Sequence, residues 1–310
     1  MADPIEFSDM ESPAQVIAPP GSTENPYKAV WIQLAWYGAL LLILFGQVIA
    51  VMVKEWATDE SMGHGFFVPV VSGYIIWQRR KDLVSVPIQP HWSGWIFMML
   101  GFVFLALGTF GAEFFVMRAG FLTSLFGVLL ITCGWPMVRA LAFPLILLLF
   151  MIRIPLFLYS RITFPLQQFA SAVAERSIDF LGIPVLREGN VLKLPSQDLD
   201  VVSACSGIRS LLSLTFLSLV YGYFFEKKTW MRAVLFVATI PIAILSNAAR
   251  VTLTGLVSEY DTSLAKGLFH TFEGWVIFMV ALGALILTHY ILNLLYSTVH
   301  RPRQNQSEAA

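Results

Sequence analysis

Charge is scarce in these 310 residues: Asp, Glu, Lys and Arg make up 13%, against 57% hydrophobic residues and a mean hydropathy of +0.71. That balance excludes an ordinary soluble domain, in which about a quarter of the residues are charged, and indicates an integral membrane protein. Basic and acidic residues number 20 each, so no global excess points to nucleic acid. Cysteine is limited to Cys133 and Cys205, which excludes a disulfide scaffold and a cysteine-rich zinc site; no metal and no other cofactor are expected. Neither GxSxG nor HExxH occurs, which removes the usual serine and metal routes to an intramembrane protease, and no internal repeat of the transporter kind is visible.

What is present is a series of apolar runs. Residues 1–29 carry five acidic residues and five prolines and read as a disordered cytoplasmic tail, without the basic start or cleavage site of a signal peptide. About eight runs then approach the roughly 20 residues that cross a bilayer: 30–53, 66–77, 95–110, 114–135, 138–152, 211–225, 230–247 and 275–295. Residues 297–310 form a second tail. Between the fifth and sixth runs lies the one long polar segment, 153–204. Its first part, 156–181, has the apolar spacing of an interfacial amphipathic helix. Its second, 185–202, holds Gly189, Asn190, Pro195 and the alternation VLKL, which read as turns and short extended strands. The fold expected is all-α and polytopic, with about eight transmembrane helices and this single outer segment.

The positive-inside rule orients the chain. With the amino terminus inside, ten Lys and Arg fall at inner positions, among them Arg79, Arg80, Lys81, Lys227 and Lys228, whereas the short outer loops hold only Lys54, Arg118, Arg250 and Lys266. On this count both tails are cytoplasmic. Cys205, Arg250 and His270 then share the outer face, and Cys133 lies near the inner one.

These three residues make a coherent chemistry. Cys205, in VVSACSGIRS, immediately precedes an apolar run, so it falls at the first turn of a helix, where free backbone N–H groups and the dipole lower a thiol pKa. Ser203 or Ser206 would cap that helix. Arg250, in SNAARVTLTG, would sit at the outer boundary of the bilayer, with Asn247 three residues earlier on the same face; its guanidinium suits an oxyanion or a carboxylate. His270 has the pKa range of a general base, and Glu273 and Asp261 are both available to orient it. Arg209, at i+4 from Cys205, could hold a substrate carboxylate, and His64, at the outer end of the second run, either lines the same site or caps a helix.

Three segments together, LDVVSACSGIRSLLSL (199–214), PIAILSNAARVTLTG (241–255) and the region of His270, resemble the exosortase and archaeosortase family of integral membrane cysteine transpeptidases. HGFFVPVVSGYIIWQRR (64–80) is similar to that family's amino-terminal signature, and the resemblance extends over most of the domain 30–296. It implies a catalytic set of Cys205, Arg250 and His270, with Asn247 also matching the motif. It further implies cleavage of exported proteins that end in a short motif, a membrane helix and a basic cluster, in bacteria that often make exopolysaccharide and whose substrates carry a PEP-type tail. The expected site is a multi-pass inner-membrane protein with its thiol facing the periplasm or exterior, in contact with lipids and with no nucleic-acid partner. A competing reading is a polytopic transporter or lipid-binding protein in which Arg250, Arg209 and His64 make a basic site at the outer leaflet.

Overall fold

A computed structural model describes residues 26–200, 207–261 and 268–299, with the side chains of 26, 27, 60, 156, 207–210, 268–271 and 299 left out of that description. The tails 1–25 and 300–310, together with Cys205 and Ser206, lie outside the described residues. The chain divides into two units, one formed by residues 1–54 and 67–152 and the other by 55–66 and 153–310.

Glycine spacing sets the closest pair in the first unit. Gly94, Gly101 and Gly108 recur every seventh residue along α5 (Ser93–Phe110) and leave a bare stripe against α6 (Phe114–Thr132). A Cβ at Gly94 would stand 2.6 Å from the Gly127 carbonyl oxygen, and one at Gly101 would collide with Ser124 Oγ. Small residues let membrane helices approach to backbone distance, where dispersion replaces the hydrophobic drive that lipid cannot supply. The turn between them closes with Glu113, whose carboxylate accepts the Phe115 N–H at 3.4 Å. Before this hairpin come α1 (Pro26–Leu44), α2 (Gly46–Thr58), α3 (Phe67–Gln78) and the short α4 (Arg80–Val84). After it, α7 (Trp135–Ala140) and α8 (Ala142–Leu147) run into a 3-10 turn, Leu148–Met151. Pro69 sits at the third position of α3, where its missing N–H costs nothing. Ser72 Oγ then donates to the Pro144 carbonyl at 3.3 Å, joining α3 to α8.

In the second unit, α9 (Leu156–Phe180) is the predicted amphipathic helix and leads into three short strands, β1 (Leu186–Glu188), β2 (Val191–Lys193) and β3 (Asp198–Asp200). They pair antiparallel in the order β1-β2-β3, with Leu192 opposite both Arg187 and Leu199. Three long helices follow: α10 (Gly207–Phe225), α11 (Thr229–Tyr260) and α12 (Leu268–Val299). α11 is the hub, packing on α9, α10 and α12. One core of Leu214, Leu235, Ala243, Ala281 and Leu285 joins α10, α11 and α12; a second, of Ala174, Ile178, Leu192, Leu194, Leu199 and Val251, seats α9 and the sheet on α11.

Span lengths differ from the eight expected. Among the described residues four helices are long and apolar enough to cross a membrane: Ser93–Phe110, Phe114–Thr132, Thr229–Tyr260 and Phe272–Thr298. A fifth is possible if Lys28–Leu44 and Gly46–Thr58, bent by 73° at Phe45, count as one span. The run 30–53 therefore folds as two segments, with Phe45 fully buried edge-on against Phe121 at a centroid distance of 5.7 Å and the weak helix former Gly46 after it. Phe67–Gln78 has 12 residues, a rise of about 18 Å, which is short for a bilayer. Residues 138–152 split at Leu141, and Ala142–Met151 and Leu211–Phe225 are shorter apolar helices.

Candidate functional site

The site is built on α11. This helix has 32 residues and a rise of about 48 Å, against roughly 30 Å of hydrocarbon, so it does not stop at Asn247, where the sequence places a boundary. Ala248 and Ala249 are strong helix formers, and Val251 is fully buried in the core with α9 and the sheet, so the helix continues on protein contacts. Asn247, Arg250, Thr254 and Ser258 fall at helical spacing, and all four are buried on one face. Arg250 thus lies inside a continuous helix, 8% exposed.

α12 provides the opposite wall. Its N-terminal turns extend beyond the predicted span to Leu268, so His270 is a helical residue and not part of a loop. Glu273 is 3% exposed, and Thr254 Oγ1 donates to it within 3.0 Å of both carboxylate oxygens. The next residue, Gly274, leaves room for the Arg250 guanidinium: a Cβ there would stand 3.3 Å from Nη2 and 3.5 Å from Cζ. His270 is three residues before Glu273 on α12, with its backbone alone described. Asp261 ends α11, its N–H bonded to the Val257 carbonyl.

The helix register connects these positions to the start of α10. Gly222 faces Arg232 across the α10/α11 contact, and Thr215 lies 3.4 Å from Thr239, so seven residues back on one helix are seven forward on the other. Eight further residues bring Gly207, the first of α10, level with Asn247. Cys205 precedes Gly207 by two residues and lies outside the described residues, as does Ser206; Arg209 is the third residue of α10, with its backbone alone described.

Around this end α9 and the strands close in. Asn247 lines a cavity of about 10 Å³ with Thr163, Gln167 and Leu211, room for about one water. Gln167 accepts from Asn190 Nδ2 at 3.2 Å, and Glu259 accepts the Ser196 N–H at 2.9 Å, which ties the β2–β3 turn to α11. His64 is placed on the middle of α10, its ring 6.3 Å from that of Phe216. At the opposite end of α10–α12, His289 bridges Tyr221 (2.8 Å), Glu226 (3.1 Å) and Asn293 (2.7 Å), a polar lock that hydropathy alone conceals. Thr254 and Gly274 carry no signal of their own in the sequence, although Thr254 stands one turn beyond Arg250.

Chemically, the described half of the site is the buried guanidinium of Arg250 held against the α12 backbone at Gly274, with the Thr254–Glu273 hydrogen bond one turn further along α11, at the end of the bundle where α10 begins. Such a cation is suited to stabilising negative charge that develops on a carbonyl oxygen. Searches of the curated proteins and of the solved structures returned no match. A family model described as transmembrane exosortase matches residues 56–287, a stretch that contains Cys205, Asn247, Arg250, His270 and Glu273. The chain is a member of the transmembrane exosortase family.

Proposed function

We propose that the protein is a cysteine transpeptidase or protease of the inner membrane that removes the C-terminal sorting tail of exported proteins. The observation that supports this reading is the register of α10 and α11, in which the first residue of α10 falls level with Asn247, one turn from Arg250. A substrate anchored by its own membrane helix presents its scissile peptide at that boundary, so encounter is confined to two dimensions and the entropy of approach is small.

In the reaction, His270 takes the proton of Cys205 and the thiolate sulfur attacks the scissile carbonyl carbon. Negative charge passes to the carbonyl oxygen, where Arg250 stabilises it. Collapse breaks the C–N bond; the leaving amine, with the tail's membrane helix and basic cluster, takes the proton from His270, and the rest of the substrate is held as a thioester. An amine or a water then attacks this thioester and regenerates the thiol. Asn247, Ser206, Arg209 and His64 have supporting roles, with Arg209 suited to a substrate carboxylate. Cys205 faces the periplasm or exterior, and exopolysaccharide-associated proteins are fitting partners.

The test is tail removal from a co-expressed reporter carrying a short motif, a membrane helix and a basic cluster. Wild type releases the tail and both Cys205→Ser and Cys205→Ala do not; release at the wild-type level by either variant contradicts the nucleophile assignment.

A further inference from the structure

We infer that the end of α10–α12 opposite the candidate site binds the headgroup of an acidic phospholipid, through Lys227, Lys228 and Arg232. These three cations flank the junction of α10 and α11. α10 has 19 residues, a rise of about 28 Å against roughly 30 Å of hydrocarbon, so the junction falls where a bilayer meets water. Among the described residues no carboxylate forms an ion pair with any of the three. The adjacent acid, Glu226, spends its carboxylate on His289 and on the Lys228 backbone N–H. Three like charges so close together repel one another, and a bound anion relieves that repulsion.

Two of the cations are held in place. Arg232 Nε donates to the Glu226 carbonyl at 2.7 Å, and its Cζ lies 5.7 Å from the centre of the Tyr223 ring. That leaves the Nη donors of its fork for a phosphate. Lys228 Nζ stands 3.2 Å from the centre of the Tyr296 ring on α12, and an ammonium seated on a ring keeps donors on its far side. The junction itself is fixed, because buried Glu226 is bound to His289, which also meets Tyr221 and Asn293. Little side-chain freedom is therefore lost when an anion binds. The surface beyond the charges is apolar. Trp230 lies against Tyr296, ring centroids 6.0 Å apart, and Val234 and Val237 follow it at helical spacing, all three exposed. A ligand that uses both parts carries a phosphate at one end and acyl chains at the other, which a soluble anion does not.

The experiment uses the full-length protein in detergent, with phosphatidylglycerol as the probe, phosphatidylcholine as the lipid without net charge, and inorganic phosphate as a third arm. Bound lipid is counted by native mass spectrometry, and each addition is scored by the rise in unfolding temperature. Wild type is expected to retain phosphatidylglycerol and to be stabilised by it, with an affinity that falls as salt rises. Lys228→Gln combined with Arg232→Gln is expected to bind it at least about tenfold more weakly, whereas Arg176→Gln, which removes one exposed charge from α9, stays within about twofold of wild type. Equal affinity in the double variant and wild type overturns the inference, as does equal retention of phosphatidylcholine. Stabilisation by inorganic phosphate as large as that by phosphatidylglycerol overturns the lipid assignment. Should the double variant fail to fold, Lys227→Gln combined with Lys228→Gln takes its place and leaves the Arg232–Glu226 bond intact; the same loss is expected, and unchanged affinity overturns the inference. None of these residues enters the cleavage chemistry, so the outcome stands apart from the transpeptidase reading.

Discussion

The guanidinium of Arg250 rests on the bare backbone of Gly274, where a Cβ would stand 3.3 Å from Nη2. Gly274→Ala therefore moves the guanidinium by a few tenths of an ångström while improving helix propensity by about 0.5–1 kcal/mol. The expected outcome is an unfolding temperature equal to or above wild type together with clearly reduced turnover of a tail-bearing reporter. Unimpaired turnover at unchanged stability would show that the placement of Arg250 is immaterial.

Close approach of α5 and α6 gives a second prediction, for folding and not for chemistry. Replacing Gly101 by Leu forces a side chain into Ser124 and the Gly120 backbone, an overpacking that costs about 1–3 kcal/mol or more. Membrane-integrated yield and unfolding temperature should both fall, and Gly38→Leu, where a Cβ meets nothing within 4 Å, serves as the control expected to leave them unchanged.

Acid should weaken the lock at the other end of the bundle. Burial pushes the Glu226 carboxyl upward, but the Lys228 backbone N–H, His289 and the Lys227 N–H outweigh it and hold the group below its ordinary value of 4.5. Because the folded state favours the ionised form, Glu226 contributes stability that is present above the unfolded value and lost as pH falls through the folded one. Unfolding temperature should decline below about pH 4.5, and Glu226→Gln should be less stable at neutral pH with a flatter acid decline. An acid profile identical to wild type would dismiss this lock.

Thiol labelling separates the two cysteines. Cys133 is buried at the end of α6 beside Thr132 Oγ1, 3.5 Å from its sulfur. A thiol of this kind reacts slowly, so Cys205→Ala should take up no membrane-impermeant maleimide until the protein is denatured. Rapid labelling of Cys133 from outside cells would overturn both its burial and the orientation drawn from the basic residues.

How legible these features are in the sequence depends on whether local pattern or tertiary contact decides them. The α5–α6 hairpin, the amphipathic α9 and the VLKL strand follow from hydropathy, turn residues and alternation, which are local. The bend at Phe45 does not: it depends on burial against Phe121, 76 residues away in the chain. The ends of α11 and α12 are also hidden, because hydropathy marks where a helix leaves hydrocarbon and not where it stops being helical. Past Asn247 the helix is sustained by Ile178, Leu192 and Leu199, which the sequence places in a separate segment. For the same reason Gly274, against which the Arg250 guanidinium lies, and the hydrogen bond from Thr254 to Glu273 become visible only when α11 meets α12.

The central claim is a covalent one, and it is tested most directly by trapping the intermediate. Full-length enzyme is mixed with the tail-bearing reporter, quenched in acid, digested and analysed by mass spectrometry for a hydroxylamine-sensitive acyl adduct. The account predicts the N-terminal portion of the reporter in thioester linkage to the peptide containing Cys205, absent from Cys205→Ala and depleted in His270→Ala. Tail release accompanied by an adduct on another residue, or by undiminished cleavage in Cys205→Ala, would contradict it.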